Sequence, residues 1–484
     1  MENETTQTKA IKLELEAEAD AFEIIDSQSR ICNWLYNHLL EHAQNLKNEG
    51  IQTGNFTQAS VIYTKRGLRN LIPSLKKEKH FLKTVHSSPL KNAALRLSDA
   101  IQAHQKSKKG KRKGSAGWPK YRSWKSKWFS LFYDEPKKGF KVNGGELKLS
   151  LGINENKQRL SVTFRLKESH LLLNQNIRNL RVVKECDKYY AVFTVSVTVP
   201  EKKPVIRCIA LDPNHKNLAY GVDTNGNAIE IEAPHWLKNH DKKIDELRRK
   251  RDRCQRKAKK VAVLDSEGKP TGKEYYKPSR RWTKLDKTLD RALNTCREQK
   301  KTNMYTIAHV LCRKYDCIGI GDYAPRGNGI TTAMRRAMNN RSIIGEFKKV
   351  VHWVATKSGK TFLIYNEQGT TRTCHACKYA VPDGLAPSIR QWTCSECCCE
   401  HIRDENAAIN GLRIVLRDIQ IKKEEAYVSL VPGSGLVSVR ERCAWRVLPS
   451  GVVTLCGGRD SMKKCSAKKL NQKHDAFGQN LVIS

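Results

Sequence analysis

The chain of 484 residues carries 89 Lys and Arg against 49 Asp and Glu, a formal net charge of +40, and 39% of it is hydrophobic. That length allows about two to four domains with at least one sizeable core, and the hydrophobic share excludes a disordered basic tail. A positive charge this large points to a polyanionic partner, because each phosphate neutralised by Lys or Arg releases a counterion.

The N-terminal "MENETTQTKAIKLELEAEADAF" has charges where a signal peptide needs an apolar core. No apolar run reaches the roughly 18 residues of a membrane span, so a cytoplasmic protein without a membrane partner is expected. Residues 8–16 alternate apolar and polar and predict a strand. Residues 20–48 follow a helical period through Phe22, Ile25, Ile31, Trp34, Leu35, Leu39 and Leu40, and helical pattern continues over 57–105. A basic, glycine-containing run comes next, with Lys106, Lys108, Lys109, Lys111, Arg112 and Lys113, then an aromatic stretch that also holds Lys120, Arg122 and Lys125. Cations interleaved with aromatics suit nucleic acid, the rings for bases and the cations for phosphates. Trp128 to Tyr133 reads better as a strand that packs a core. Short strands fill 139–200, and "PEKKPV" reads as a linker.

The next segment, "IRCIALDPNHKNLAYGVDTNGNAIEIE", predicts three strands joined by tight turns, with Asp212 at the end of the first. A carboxylate there can enter a cleft and bind a divalent metal, although Asp-Pro is also an ordinary turn start. A charged helical region over 236–316 is broken near "VLDSEGKPTGKEYYKPS", and "CIGIG" predicts a further buried strand. A helix over 341–357 and the strand "TFLIYNE" lead to the one cluster among the sixteen cysteines.

In that cluster, Cys374-x2-Cys377 and Cys394-x2-Cys397 predict two knuckles presenting four thiolates to a structural zinc ion. Cys398 and Cys399 offer alternative ligands, but the spacing favours Cys394 and Cys397. The helix of "HIRDENAAINGL" opens at Asp404, a metal-ligand candidate that would also serve as an N-cap. Residues 425–484 are rich in Gly, Ser and Lys and predict a loosely ordered basic tail.

Three segments, "LDPNHKNLAYG", "CIGIGDYAP" and "TTRTCHACK…QWTCSECCCEHIRDENAAINGL", resemble the RuvC segments and zinc ribbon of the TnpB family, RNA-guided DNA endonucleases of insertion-sequence transposons related to compact type V CRISPR effectors. The likeness is specific over about 205–418. It implies a multidomain α+β protein: a β-barrel wedge domain (1–18 and 115–203) with a helical recognition insertion (19–114), then an RNase H-like RuvC α/β domain (204–370 and 401–424) with an inserted zinc ribbon (371–400). The partners implied are a guide RNA and target double-stranded DNA, met by a monomer or a dimer. The cofactors implied are structural Zn2+ and catalytic Mg2+, two ions for which Mn2+ can substitute.

The family's second RuvC segment ends in Glu-Asp, whereas this chain has Gly321-Asp322. Asp212 and Asp404 alone leave a two-metal site incomplete. The expected replacement is Glu346, on an amphipathic helix; Asp322 is the alternative and Glu367 a fourth candidate. If none serves, the protein is a nuclease-inactive, RNA-guided DNA-binding protein. No Tyr or Ser recombinase constellation supports a transposase.

Overall fold

The structure, a computed structural model, describes residues 6–421 apart from 113, 124–127, 203–204, 215–216, 235, 265–267, 324–342 and 387, and further along residues 439–448, 451–457 and 468–469. Two compact units divide the chain, Thr5–Thr198 and a second beginning at Val199. Among the described residues no helix is long and apolar enough to cross a membrane.

In the first unit the predicted alternation is realised in β1 (Thr6–Glu16), where Ile11, Leu13 and Leu15 are buried. Six more strands follow: β2 (Leu131–Tyr133), β3 (Phe140–Asn143), β4 (Glu146–Ile153), β5 (Arg159–Leu166), β6 (Asn176–Glu185) and β7 (Lys188–Thr198). They form one antiparallel sheet ordered β2-β6-β7-β1-β5-β4-β3. β1 joins its halves, pairing with β7 from Thr6 to Glu14 and with β5 at Leu15 and Glu16. The end strands β2 and β3 do not pair with each other among the described residues.

Between β1 and β2 lie α1 (Ala19–Thr53), α2 (Ile72–Glu78) and α3 (Ser87–Lys108). α1 stops at Gly54, whose φ of 71° is the left-handed conformation that glycine adopts without a Cβ penalty. Ile25, Leu35 and Leu39 of α1 and Leu90 and Leu97 of α3 share a single core with the sheet. The helical insertion is therefore continuous with the sheet. Phe129, Leu131 and Tyr133 are buried in that core, as expected of a packing segment. Trp128 donates to Asp26 at 2.7 Å.

In the second unit β8 (Cys208–Pro213), β9 (Ala219–Asp223) and β10 (Asn227–Ile231) form an antiparallel meander. A polar helical hairpin follows, α4 (Leu237–Arg256) and α5 (Arg280–Lys314). The break predicted near 263–279 is a β-hairpin, β11 (Lys260–Leu264) with β12 (Pro270–Tyr276). β13 (Cys317–Gly321) then lies parallel to β8, and β14 (Thr361–Tyr365), reached through α6 (Ile344–Lys357), lies parallel to β13. These strands lie in the order β14-β13-β8-β9-β10. β8 and β13 read as unbroken apolar runs because both faces are covered. Ile307, Leu311, Phe347 and Val351 belong to one core cluster, and Ala408, Leu412 and Val415 of α7 (Arg403–Ile421) to another. A methyl at Gly319 would run into Val415, so glycine there lets α7 sit close on β13.

β15 (Gln391–Thr393) pairs antiparallel with β16 (Glu400–Ile402) ahead of α7. The tail expected to be loose contributes three strands to the larger sheet. β17 (Glu441–Val447) pairs in parallel with β10 and antiparallel with β18 (Val453–Gly457), and β18 pairs antiparallel with β19 (Lys468–Lys469). Trp445 is buried in the core beside Ile229 and Ile231. The anchoring comes from apolar burial at Ala444, Trp445 and Val447, which outweighs the polar character of the surrounding sequence.

Candidate functional site

Parallel strands ending at one edge of an open α/β sheet create a crevice beyond their carboxyl ends. Asp212 stands at that end of β8, next to its last residue Pro213. Asp404 lies in the first turn of α7, where a carboxylate is favoured by the helix dipole. Burial first, and then the charges of Glu367 and Asp404, push the Asp212 carboxyl well above the usual carboxylate range, against the pull of Arg403. Three acids therefore act on one locus, and the third is Glu367.

Glu367 lies two residues past β14, whose last residue Tyr365 pairs with Gly321 of β13. A Cβ added at Gly321 would collide with Glu367 Oε2. The carboxylate of the neighbouring strand thus fills the space left by the missing side chain at 321. Two contacts hold it there: Asp322 N–H donates to Tyr365 O at 2.9 Å, and Asp322 Oδ1 accepts from Glu367 N–H at 3.2 Å. Tyr365 OH donates to Leu211 O at 2.9 Å, tying the end of β14 to β8. Glu367 Oε2 is buried without a hydrogen-bond partner among the described residues. Burial pushes the Glu367 carboxyl up to about 7; Lys348 and the Tyr323 backbone N–H oppose the rise and Asp322 adds to it.

Glu346, expected to supply the third acid, is exposed and lines a different cleft, with Asp241, Asp245 and Arg248 of α4 and Arg297 and Lys300 of α5. The cause is helical rotation. Phe347 points into the core, and at about 100° per residue its neighbours 346 and 348 fall on opposite flanks. The flank facing the carboxylates carries Lys348, whose Nζ lies 3.5 Å from Tyr323 O. Burial lowers the Lys348 pKa, and Glu367 and Asp322 partly restore it. Asp322, the other alternative, is exposed and braces the Glu367 backbone.

Beside the carboxylates lies the cysteine cluster. Cys374 N–H donates to Tyr379 O at 2.8 Å and Lys378 N–H to Cys374 O at 3.0 Å. The second knuckle repeats this, with Cys394 N–H to Cys399 O at 2.9 Å and Cys398 N–H to Cys394 O at 3.0 Å. Lys378 and Cys398 both have positive φ, 67° and 54°, at equivalent positions, which makes Cys398 the turn residue of its knuckle. Cys374 and Cys397 Sγ are 3.7 Å apart, and Cys377 and Cys394 Sγ 3.6 Å. Thiolates on one zinc ion lie about 3.8 Å apart, from a bond of about 2.3 Å and tetrahedral angles. Backbone N–H groups of Cys397 and Glu396 hold the Cys394 thiol down at about 7 against burial. The four sulfurs fit Zn2+.

The ribbon is clamped to α7 by two asparagines one helical turn apart. Asn406 Nδ2 donates to Thr370 O and Thr373 O at 3.2 and 2.8 Å, and Asn410 Nδ2 to the same carbonyls at 2.9 and 2.7 Å. Arg390 of the ribbon donates to both Asp404 oxygens, at 3.3 and 3.5 Å. Both asparagines lie in "NAAIN", whose i, i+4 spacing puts them on one helix face. That spacing is the signal by which the sequence could have pointed to them.

Residues 345–411 match the family model described as Cas12f1-like, TNB domain. The chain is also similar to several solved structures. One is described as the Cas12f1-sgRNA-target DNA complex, with 12% identity and a TM-score of 0.49, over 84% of this chain and 98% of that one. A second, the mini-RNA-guided endonuclease CRISPR-Cas_phi3, has 11% identity and a TM-score of 0.38, over 84% and 92%. A third, Alicyclobacillus acidoterrestris C2c1 with single-guide RNA, has 10% identity and a TM-score of 0.35, over 90% and 72%. No curated protein matches the chain by sequence.

Of the expected nucleic-acid contacts, Lys106, Lys108, Lys109, Lys111, Arg112 and Lys120 are exposed in the first unit. Arg122 is engaged internally: its Nε donates to Asn33 Oδ1 at 2.8 Å, and its guanidinium lies 5.0 Å from the Phe129 ring centre. Lys113 and Lys125 lie outside the described residues.

Proposed function

We propose that the protein is an RNA-guided DNA endonuclease of the TnpB type, hydrolysing phosphodiesters at a RuvC-like site formed by Asp212, Glu367 and Asp404. The observation that carries this is the Glu367 carboxylate in the space vacated at Gly321. It supports a rearranged site in preference to a lost one. Carboxylates whose charges act on one another suit a hard cation, and the Glu367 Oε2, unpartnered among the described residues, offers it a lone pair. Divalent cations, Mg2+ or Mn2+, would supply water activation and stabilisation of the departing 3′ oxygen.

Asp212, Glu367 and Asp404 would hold those ions. Lys348 opposes the burial-driven rise of the Glu367 pKa and so favours the ionised form that binds them, and the Asp322 carboxylate fixes the backbone that aims it. Zn2+ on Cys374, Cys377, Cys394 and Cys397 would stiffen the ribbon, and the Asn406 and Asn410 clamps transmit that order to Asp404. Guidance by RNA is supported by the net charge of +40, the three sequence segments and the family match over 345–411. Exposed cations at 106–112 are proposed to hold phosphates.

The test is cleavage of target plasmid in Mg2+ by protein purified with its own RNA, beside Glu367→Gln, Glu346→Ala and Asp322→Ala. Wild type is expected to cut and Glu367→Gln to bind target without cutting. If Glu346→Ala is the dead variant and Glu367→Gln cuts, the site assignment falls. Binding without cleavage by wild type, in Mn2+ as well, would make the protein a guided binder. Target binding that needs no RNA would remove the guide.

A further inference from the structure

Outside the tetrathiolate set, three side chains in and beside the ribbon come together: His375, Cys399 and His401. Each offers one ligand atom, and the three atoms lie within 4.8 Å of one another. The two imidazoles meet edge to face, 4.7 Å between centres. What distinguishes them from histidines that merely pack is the hydrogen bonding of their nitrogens.

Asn406 donates through Nδ2 to carbonyls that can only accept, so its Oδ1 faces the other way. That Oδ1 accepts from the His375 backbone N–H at 2.9 Å and lies 3.1 Å from His375 Nδ1. His375 Nδ1 is therefore the protonated nitrogen, and its Nε2 carries a lone pair. His401 repeats the logic. Its Nε2 is 3.1 Å from Cys374 Sγ. A zinc-bound Cys374 is a thiolate and can only accept, so Nε2 donates and Nδ1 keeps the lone pair. His401 is 4% exposed, and its Nδ1 is buried with no hydrogen-bond partner among the described residues. One nitrogen tied to an outer acceptor and the other left with a lone pair is how metal-ligating histidines are held. Cys399, half-buried at the end of the second knuckle, supplies a sulfur.

We infer that His375, Cys399 and His401 form a second metal site, next to the tetrathiolate ion, for a borderline-soft divalent cation such as Zn2+. Two imidazoles and one thiolate suit zinc or cobalt over magnesium. Donors on one such ion lie about 3.3–3.8 Å apart, so the cluster closes by about an ångström on binding. Three protein ligands leave a fourth position to water. The site would join the first knuckle, the second knuckle and β16 (Glu400–Ile402), which runs directly into the helix carrying Asp404. It rests on zinc occupying the four cysteines and is independent of the nuclease reading.

The experiment is metal content of the untagged protein, purified with its RNA, loaded with excess Zn2+ and freed of loose ions by gel filtration. Parallel samples are loaded with Co2+ and read by absorption. Wild type is expected to hold two ions per chain. Cys399→Ser and His375→Gln should each hold one, with the tetrathiolate cobalt bands kept at wild-type intensity, which also shows that the ribbon is folded. Cys377→Ser should lose those bands, confirming which ion they report. One ion in wild type overturns the inference, as does unchanged content in Cys399→Ser and His375→Gln. Loss of both ions in Cys399→Ser would make all seven residues a single site and overturns it too. If Cys377→Ser keeps the tetrathiolate bands, the assignment of zinc to the four cysteines fails instead.

Discussion

The cysteine ribbon and the carboxylate crevice are neighbours built on opposite plans. The ribbon's ligands come in two short knuckles whose backbone hydrogen bonds set each sulfur, and the sulfurs stand at tetrahedral spacing. The carboxylates come from the ends of two strands and the start of a helix, and they repel one another. The first site is organised by its backbone. The second is held against its own electrostatics by the fold around it. A site of the second kind can lose an acid on one strand and regain it from the next, because only the position of the oxygen matters.

Glu367→Gln should have the largest effect, a loss of cleavage on the order of a thousandfold, equivalent to about 4 kcal/mol of transition-state stabilisation. It should also change stability. The Glu367 carboxyl is held up at about 7 in the folded chain against an ordinary value of 4.5. The native state then binds more protons than the unfolded one between those values, so this group makes stability fall as pH rises from 4.5 to 7. Thermal melts at pH 8 without added Mg2+ should show Glu367→Gln more stable than wild type, and added Mg2+ should raise only the wild type.

Gly321→Ala sharpens the comparison further. The new methyl competes with Glu367 Oε2 for one space, and because that oxygen ends a flexible side chain the chain should still fold. Single-turnover cleavage should fall by on the order of a hundredfold, about 2.7 kcal/mol, with target binding unchanged. Asn406→Ala tests the link between the two sites. It should keep the ribbon's zinc yet lower cleavage on the order of tenfold, read as metal content beside rate. Lys348→Met removes a cation that holds the Glu367 carboxyl down, so the rising limb of the pH–rate profile should move to higher pH. Glu346→Ala should be the smallest, less than about twofold, as befits an exposed residue away from such features.

The residues legible in the sequence were those fixed by local pattern. Asp212 ends an apolar run, Asp404 opens a periodic helix, and the four cysteines have knuckle spacing. Glu346 and Lys348 were equally compatible with the amphipathic pattern of their helix, because both flank Phe347, and only the packing of α6 decides which flank meets the crevice. Glu367 carried a usable signal. It is two residues past Tyr365, so by strand alternation it shares the face of the residue paired with Gly321. Reading it required the pairing of β13 with β14, which no local window contains. β17 was hidden for the same reason: its apolar residues are few, and its partner β10 lies far back in the chain. Arg122 looked like a phosphate contact from composition, but Asn33 and two aromatic rings claim it.

The pairing of Asn227–Ile231 with Glu441–Trp445 also gives the second unit a timetable. During synthesis at about 5–20 residues per second, β10 leaves the ribosome roughly 10–40 s before its parallel neighbour exists. Arg442, which grips Glu405 through Nε at 2.8 Å and Nη2 at 3.1 Å, arrives on that same late strand. Glu405 adjoins Asp404 in the first turn of α7. The helix start that carries an acid of the crevice is thus braced only after β17 has been made. A nascent or prematurely terminated chain would carry all three carboxylates and the whole ribbon, yet expose an open strand edge, a natural target for chaperones and proteases.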